Sequence, residues 1–438
     1  MLKRGRRING MPIRYALAVG LVYLTLLQSG RGFTSEEVGD DVSLYGRQAS
    51  EELPPLAPVD AWEPNLENNA ATDTNDHAMT DTALALEHRL LSDVLETSSV
   101  EDIQTAFALL GQSVTPGEKR TLHWSPQDIF EGIPVPTPVL VANGRAVGPV
   151  LCMTGAIHGD EINSIETIRR VMHGLDPDDM SGTVVAVPIV NQMGFRRNSR
   201  YLPDRRDLNR YFPGSKTGSS AARIAYSLFT EIIQHCDALV DLHTGSFHRT
   251  NIPQLRADLS DDSVRVLVEQ FGNIVVLHSE GSAGMLRREA TLAGVPTVTL
   301  EAGESLRIQD DVISAGVKHV KALLTNLNII ERGFFFGDPQ PTYMASRWLR
   351  AEIGGIFISR KTPGERVAEG EALGSITDPI TNKEHVVIAE FPGKIIGMAM
   401  DQVVLPGYAI YHVGMDTSLV ERAVINDGAA VSITEASQ

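Results

Sequence analysis

The chain has 438 residues, 42% of them hydrophobic and 21% charged, with a formal net charge of −17; that length allows two packed domains plus appendages. The acidic balance argues against a nucleic-acid binder, which carries a basic patch or stripe, and a mean hydropathy near zero excludes a multi-span membrane protein. Two cysteines, Cys152 and Cys236, rule out a disulfide framework and any thiolate cluster around a metal, so a metal in this chain must sit on His and carboxylates.

Residues 1–32 carry six basic residues and no acidic ones. Lys3, Arg4, Arg6, Arg7 and Arg14 precede an apolar run over 16–27, the form of an export signal and too short to span a bilayer comfortably. Gln28-Ser29-Gly30 is a poor cleavage site, so an uncleaved membrane anchor is the alternative. Either way the chain is expected to be exported, periplasmic or attached by its N-terminus to the inner membrane facing the periplasm. Residues 33–82 are rich in Asp, Glu, Asn, Thr and Pro without a sustained period. Such a stretch buries too little apolar surface to offset its chain entropy and reads as a disordered acidic linker. It carries −11 within 50 residues, against −12 spread over 83–438, so the rest of the chain is only mildly acidic.

A globular pattern begins near residue 83. Apolar Leu84, Leu86, Leu90, Leu91, Val94 and Leu95 suggest one or two helices over 83–110. Short β-rich runs then cover 149–157, 183–190, 238–242, 274–277 and 297–300, alternating with helical periods over 164–172, 221–235 and 264–271. Continuous apolar strands alternating with helices predict an α/β fold, a mostly parallel mixed sheet with helices on both faces. Function in such sheets gathers at the carboxyl ends of the strands.

Polar residues stand at those ends: His158-Gly159-Asp160-Glu161, His243-Thr244-Gly245 and Glu301-Ala302-Gly303-Glu304. At H-x-x-E spacing His158 and Glu161 can point to one side of a turn entering a helix, and His243 can supply a third ligand. His₂Glu leaves a fourth zinc position open, the arrangement of a catalytic site, where one Zn²⁺ per chain would polarise a carbonyl and lower the pKa of water. Glu301 suits a general base, and Asp241, two residues before His243, can orient its imidazole. A lone H-x-x-E recurs by chance, and acidic residues at a helix start also complement its dipole; the metal reading rests on all these groups falling at strand ends together. The loop NSRYLPDRRDLNRYFPG, residues 198–214, concentrates arginines in an acidic protein. A guanidinium forks around carboxylates and serves a developing oxyanion, so a small anionic substrate is expected.

The motifs GAIHGDE (155–161), RDLNRYFPG (206–214), LVDLHTG (239–245) and VTLEAGE (298–304), in that order, resemble the succinylglutamate desuccinylase/aspartoacylase family, relatives of the zinc carboxypeptidases. The resemblance covers roughly 120–420. It implies that His158, Glu161 and His243 bind zinc, that Glu301 is the general base, that Arg200 stabilises the oxyanion and that Asn209 and Arg210 hold the substrate carboxylate. It implies hydrolysis of the amide of an N-acyl amino acid. The exported N-terminus and long extension depart from the family's intracellular members. They make an envelope metallocarboxypeptidase, acting on a peptide or cell-wall fragment, the alternative to a zinc-dependent deacylase. A degenerate member that binds without catalysis is disfavoured, because every catalytic residue type is present.

Residues 83–338 thus form the expected catalytic domain. From 339 to 416 glycine-punctuated short strands predict a small all-β barrel or sandwich, similar to the biotinyl/lipoyl-like barrel fused to many family members. Lys394 lacks the flanks of a cofactor-carrying hairpin, so this module is expected to wall the cleft and limit substrate size. Residues 417–438 read as a polar tail. Cys152 lies in an apolar strand and reads as core, and Cys236 precedes the next strand; export would allow them to pair.

Overall fold

A computed structural model describes residues 104–126, 136–331, 341–400 and 402–416. The expectations for 1–32, 33–82, 417–438 and the helical reading over 83–103 lie outside those residues. Where the expected helices would have ended, β1 (Phe107–Leu109) and β2 (Gln112–Val114) form an antiparallel hairpin instead. Leu110 and Gly111 both take positive φ between them, the backbone a two-residue hairpin turn requires.

The central elements follow as β3 (Glu118–Trp124), β4 (Thr137–Asn143), β5 (Ala146–Gly155), α1 (Ile162–His173), β6 (Ser181–Val187), α2 (Gln192–Phe195), α3 (Ser220–Glu231), β7 (Ala238–Gly245), β8 (Arg249–Ala257), α4 (Asp262–Glu269), β9 (Val275–His278), α5 (Leu286–Leu292), β10 (Thr297–Glu304) and α6 (Asp310–Asn326). Strands pair in the order β3-β4-β6-β5-β7-β10-β8. The run β6-β5-β7-β10 is parallel and its flanks are antiparallel, so the sheet is mixed. The apolar strand residues alternate between two cores. Met153, Val240 and Leu300 pack with Ile168 and Val171 of α1, Val264 of α4 and Leu323 of α6. Cys152, Val185 and Leu239 face α3, through Ala225 and Leu228, and α5, through Leu286 and Ala290. Each fully buried Leu or Ile among these contributes roughly 1.5–3 kcal/mol of transfer free energy. Helices therefore cover both faces, as the apolar runs predicted.

Cys152 is a core residue and also a bonded one. It forms a disulfide with Cys236 across a Cα–Cα distance of 5.8 Å, because β5 and β7 are neighbours and Cys236 lies two residues before β7 begins.

The remaining strands are β11 (Thr342–Tyr343), β12 (Ser346–Arg350), β13 (Gly355–Ser359), β14 (Arg366–Val367), β15 (Ala372–Thr377), β16 (Glu384–Ile388), β17 (Gly393–Ala399), β18 (Gln402–Val404) and β19 (Ala409–Met415). The four-stranded sheet β16-β15-β13-β18 shares a core with β12, β17 and β19: Phe357, Leu373 and Ile376 from one side, Leu349, Ile395, Tyr411 and Val413 from the other. Two sheets over one core make a sandwich. It is continuous with the central sheet, because β17 pairs antiparallel with the first half of β8 through Gly397↔Asn251, Met398↔Thr250 and Ala399↔Arg249. Among the described residues, no helix is long and apolar enough to cross a membrane.

Candidate active site

Three strand ends and one loop meet in a cavity of about 520 Å³ lined by His158, Glu161, Arg200, Asn209, Arg210, His243 and Glu301, with further residues of the sandwich. All the expected site residues except Asp241 reach this cavity; Asp241 stands behind His243.

His158 follows β5, and Glu161 is the residue before α1, its side chain making no cap to that helix. The carboxylate turns inward instead. Glu161 Oε1 lies 2.7 Å from His158 Nδ1, Oε2 lies 2.8 Å from His243 Nδ1, and Oε2 also accepts from Thr244 N at 3.1 Å. The two Nδ1 atoms are 3.1 Å apart. Gly159 makes the turn possible, since a Cβ there would lie 2.1 Å from the backbone of Gly194 and Phe195. That close approach fixes the 191–200 loop against the H-G-D-E turn.

The second nitrogen of each imidazole meets an aspartate: His158 Nε2 with Asp207 Oδ1 at 3.1 Å and His243 Nε2 with Asp241 Oδ2 at 2.8 Å. An ionised carboxylate only accepts; with the hydrogen of each ring on Nε2, facing its aspartate, a neutral ring turns the Nδ1 lone pair toward Glu161, where a cation can replace the proton that the carboxylate otherwise attracts. Two such lone pairs and a carboxylate then converge, an all-acceptor cluster that suits a cation. The 2.7–3.1 Å spacings are close to those of donors around one small ion, roughly 3 Å for bonds of about 2 Å. His158, Glu161 and His243 form a group able to hold a metal ion. Carboxylate partners behind the histidines fix ring orientation and raise basicity. Thr154 Oγ1 in turn donates to Asp241 Oδ1 at 2.7 Å.

The charges respond accordingly. Burial alone would raise the Glu161 carboxyl, but His158 and His243 override it and hold it well below the usual carboxylate range. Burial opposes protonation of His243, yet Asp241 and Glu161 keep it well above the ordinary histidine value. A proton thus takes up the excess negative charge that a metal ion would neutralise.

Arg200 is 6% exposed. Its Nη1 lies 3.1 Å from His158 Nδ1 and donates to Glu161 Oε1 at 3.2 Å, and its Nη2 donates to Asp207 Oδ2 at 3.0 Å. Asp207 was not singled out from the sequence, yet its carboxylate orders His158, Arg200 and the 3-10 turn Leu208–Arg210, accepting from Asn209 N at 2.9 Å. Burial would raise its carboxyl; His158 and Arg200 hold it far below the ordinary range. Asn209 Oδ1 accepts from Leu286 N, the first residue of α5, at 2.8 Å. That leaves the amide NH₂ beside Arg210 as a donor for an anion.

Glu301 is the register partner of His243 across β7 and β10. Its Oε2 accepts from Asn251 Nδ2 at 3.0 Å and its Oε1 lies 3.6 Å from Arg256 Nε. Neither β8 residue was foreseen. Glu301 opposes Gln254 and Gly303 opposes Asn251, so Ile252 and Pro253 face the single residue Ala302. This bulge, at a proline that has no N–H to give the ladder, returns Asn251, Gln254 and Arg256 to one face of β8, the one that carries Glu301. Arg256 Nη2 is buried without a hydrogen-bond partner, a second cationic donor in the cavity. The outer wall belongs to the sandwich, through Arg347, Trp348, Arg350, Glu352, Glu390 and His412.

The fold and site define an α/β protein in which a buried His/Glu/His group able to hold a metal ion shares a cavity with the Glu301 carboxylate and with Arg200, Arg210 and Arg256. Residues 147–327 match the succinylglutamate desuccinylase/aspartoacylase catalytic domain. It is similar to the N-alpha-acetyl-L-2,4-diaminobutyric acid deacetylase of Halomonas elongata, 25% identical over 253 residues, or 55% of this chain and 74% of that protein. Two solved structures share the fold. The ectoine utilization protein EutE (DoeB) from Ruegeria pomeroyi, in its product-bound form, is 23% identical over 73% of this chain and all of its own, with a TM-score of 0.62. The succinylglutamate desuccinylase/aspartoacylase from Rhodobacter sphaeroides is 23% identical over 68% and 95% of the two chains, with a TM-score of 0.60. The family's named members remove acyl groups by hydrolysing an amide.

Proposed function

We propose that this chain is a zinc-dependent hydrolase that cleaves the amide of an N-acyl amino acid or a similar small carboxylate-bearing substrate. The observation that carries this reading is the all-acceptor cluster of His158 Nδ1, His243 Nδ1 and Glu161, in one cavity with Glu301 and unspent guanidinium donors. One zinc ion held by His158, Glu161 and His243 would act as a Lewis acid on the scissile carbonyl and make water a better nucleophile. Glu301 takes the proton of the attacking water and returns it to the leaving nitrogen. Asn251, bonded to one of its oxygens, fixes which oxygen faces the substrate. Arg200 donates to the oxyanion that develops as the carbonyl is attacked. Asn209 and Arg210 hold the substrate carboxylate, and Asp207 and Asp241 keep the two imidazoles in the tautomer that a metal needs.

On this reading the fold is zinc carboxypeptidase-like, residues 83–338 carry catalysis and residues 339–416 wall the cleft. The Cys152–Cys236 bond favours an oxidising compartment, in line with export through the N-terminal segment. The envelope metallocarboxypeptidase is the competing reading, but a cavity of about 520 Å³ is of small-molecule size. Release of free amine from a panel of N-acyl amino acids and short peptides tests the choice. N-acyl amino acids with a free α-carboxylate should be hydrolysed, and their methyl esters should react far more slowly. Turnover of peptides alone would overturn the deacylase reading.

A further inference from the structure

The turn between β7 and β8 is built unlike an ordinary hairpin. Phe247 and His248 both adopt positive φ, 54° and 57°, a region that bulky side chains avoid and that persists only where the surroundings impose it. The imposing contacts come from the sandwich. Tyr408 Oη donates to Phe247 O, Met400 N donates to His248 O at 2.8 Å, and Arg249 Nε donates to Ala409 O at 3.2 Å. The Arg249 guanidinium also lies against the rings of Trp348 and Tyr408, at 5.1 and 4.7 Å. Held this way, the 36%-exposed Phe247 presents its ring to Arg200, with Cζ 5.3 Å from the ring centroid, and packs near Tyr201 at 6.4 Å. Arg200 Nε is buried and has no hydrogen-bond partner, so the aromatic face is what that guanidinium meets where an acceptor is missing. A cation facing an aromatic π-system is attracted and loses freedom to swing.

We propose that Phe247 is a positioning residue for Arg200, and that the C-terminal sandwich, by clamping the Ser246–His248 turn through Tyr408 and Met400, sets the orientation of the oxyanion donor. The sandwich therefore acts on the rate as well as on substrate size. This rests on Arg200 serving the oxyanion, as the proposed function has it. Misplacing such a donor by a fraction of an ångström lowers kcat and leaves ground-state binding alone.

The test uses the full zinc-loaded chain with Phe247→Ala, Phe247→Gly, Phe247→Leu, Phe247→Tyr and Tyr408→Phe. Glycine accepts the left-handed backbone freely, so a deficit in Phe247→Gly is not a folding defect. Phe247→Ala and Phe247→Gly should lower kcat by about 10- to 100-fold with KM and zinc content unchanged. Phe247→Tyr should retain the rate, and Tyr408→Phe should lower kcat in the same sense by a smaller factor. The Arg200 Nε–H resonance, identified by its loss in Arg200→Lys, should move when the ring is removed and return in Phe247→Tyr. A wild-type kcat in Phe247→Ala, a wild-type kcat in Phe247→Leu (bulk without the ring), or an unmoved Arg200 resonance would each overturn the proposal. If the wild-type chain hydrolyses no acyl amino acid, the proposed function fails, and the resonance still decides whether Phe247 positions Arg200.

Discussion

Glu301 is placed by strand register and held by Asn251, a placement with a direct consequence for activity. Glu301→Gln keeps the size and a hydrogen-bonding oxygen but removes the proposed base. It should lower kcat by at least about 10²-fold, the scale of general-base catalysis, while metal content measured by elemental analysis stays at wild-type level. Asp207 behaves differently, because it acts on His158 and Arg200 rather than on substrate. Asp207→Asn should weaken zinc affinity by about 10–100-fold, the usual cost of losing a carboxylate behind a ligating histidine, measured by competition with a chromophoric chelator. The contrast also shows what the sequence could disclose about the site. His158, His243 and Glu301 were legible because each falls one position past an apolar run, where a buried strand ends, and Glu161 because it follows His158 at H-x-x-E spacing. Asp207 was not, because its partner His158 lies 49 residues away and the loop that carries Asp207 has no period. Arg256 escaped notice for a different reason, since its side chain's direction depends on a bulge.

Among the elements, the apolar runs disclosed β5, β6, β7, β9 and β10 with their ends nearly in place. They did not disclose β8, whose sequence RTNIPQLRA has Pro253 where a ladder donor belongs; its pairing survives because the bulge opposite Ala302 places the proline at an irregularity. Gly316 falls inside the period of α6, where a Cβ would lie 3.2 Å from the Thr167 side chain of α1, a tight contact. The hairpin β1–β2 could be mistaken for a helix end because its apolar residues are few and its turn is only two residues long. The Cys152–Cys236 bond belongs to this scale too. It closes a loop of sequence separation 84, for which loss of unfolded-state entropy gives about 4–5 kcal/mol in the chain-entropy model. Reduction, or Cys152→Ala with Cys236→Ala, should lower the thermal midpoint by several degrees in scanning calorimetry. An unchanged midpoint would mean that the bond adds nothing to the packing of β5 against β7.

Across the whole molecule, the cleft is shared property. The sandwich was legible from its glycine-punctuated strands, but its continuity with the central sheet was not, because a β17–β8 pairing joins residues about 150 positions apart with no local signal. The pH response is likewise a property of the assembled site. In the metal-free chain the depressed carboxyls of Glu161 and Asp207 contribute stability above the ordinary carboxylate range, lost as pH falls below about 4. The raised His243 contributes below its unfolded value of about 6.5 and loses that contribution only as pH climbs through its higher folded value. On the proposed reading a zinc ion would have to displace this proton. The stabilisation zinc confers should therefore grow between about pH 5 and pH 8, read as the gap between metal-loaded and metal-free midpoints; a gap that shrinks with rising pH would contradict the shared site. The measurement closest to the central claim is amine release from N-acyl amino acids by the purified chain, followed through chelation and zinc return. The expected result is one zinc per chain, loss of turnover on chelation and recovery with one equivalent of zinc. Full turnover by a metal-free chain, or none by a zinc-loaded one across the whole panel, would contradict it.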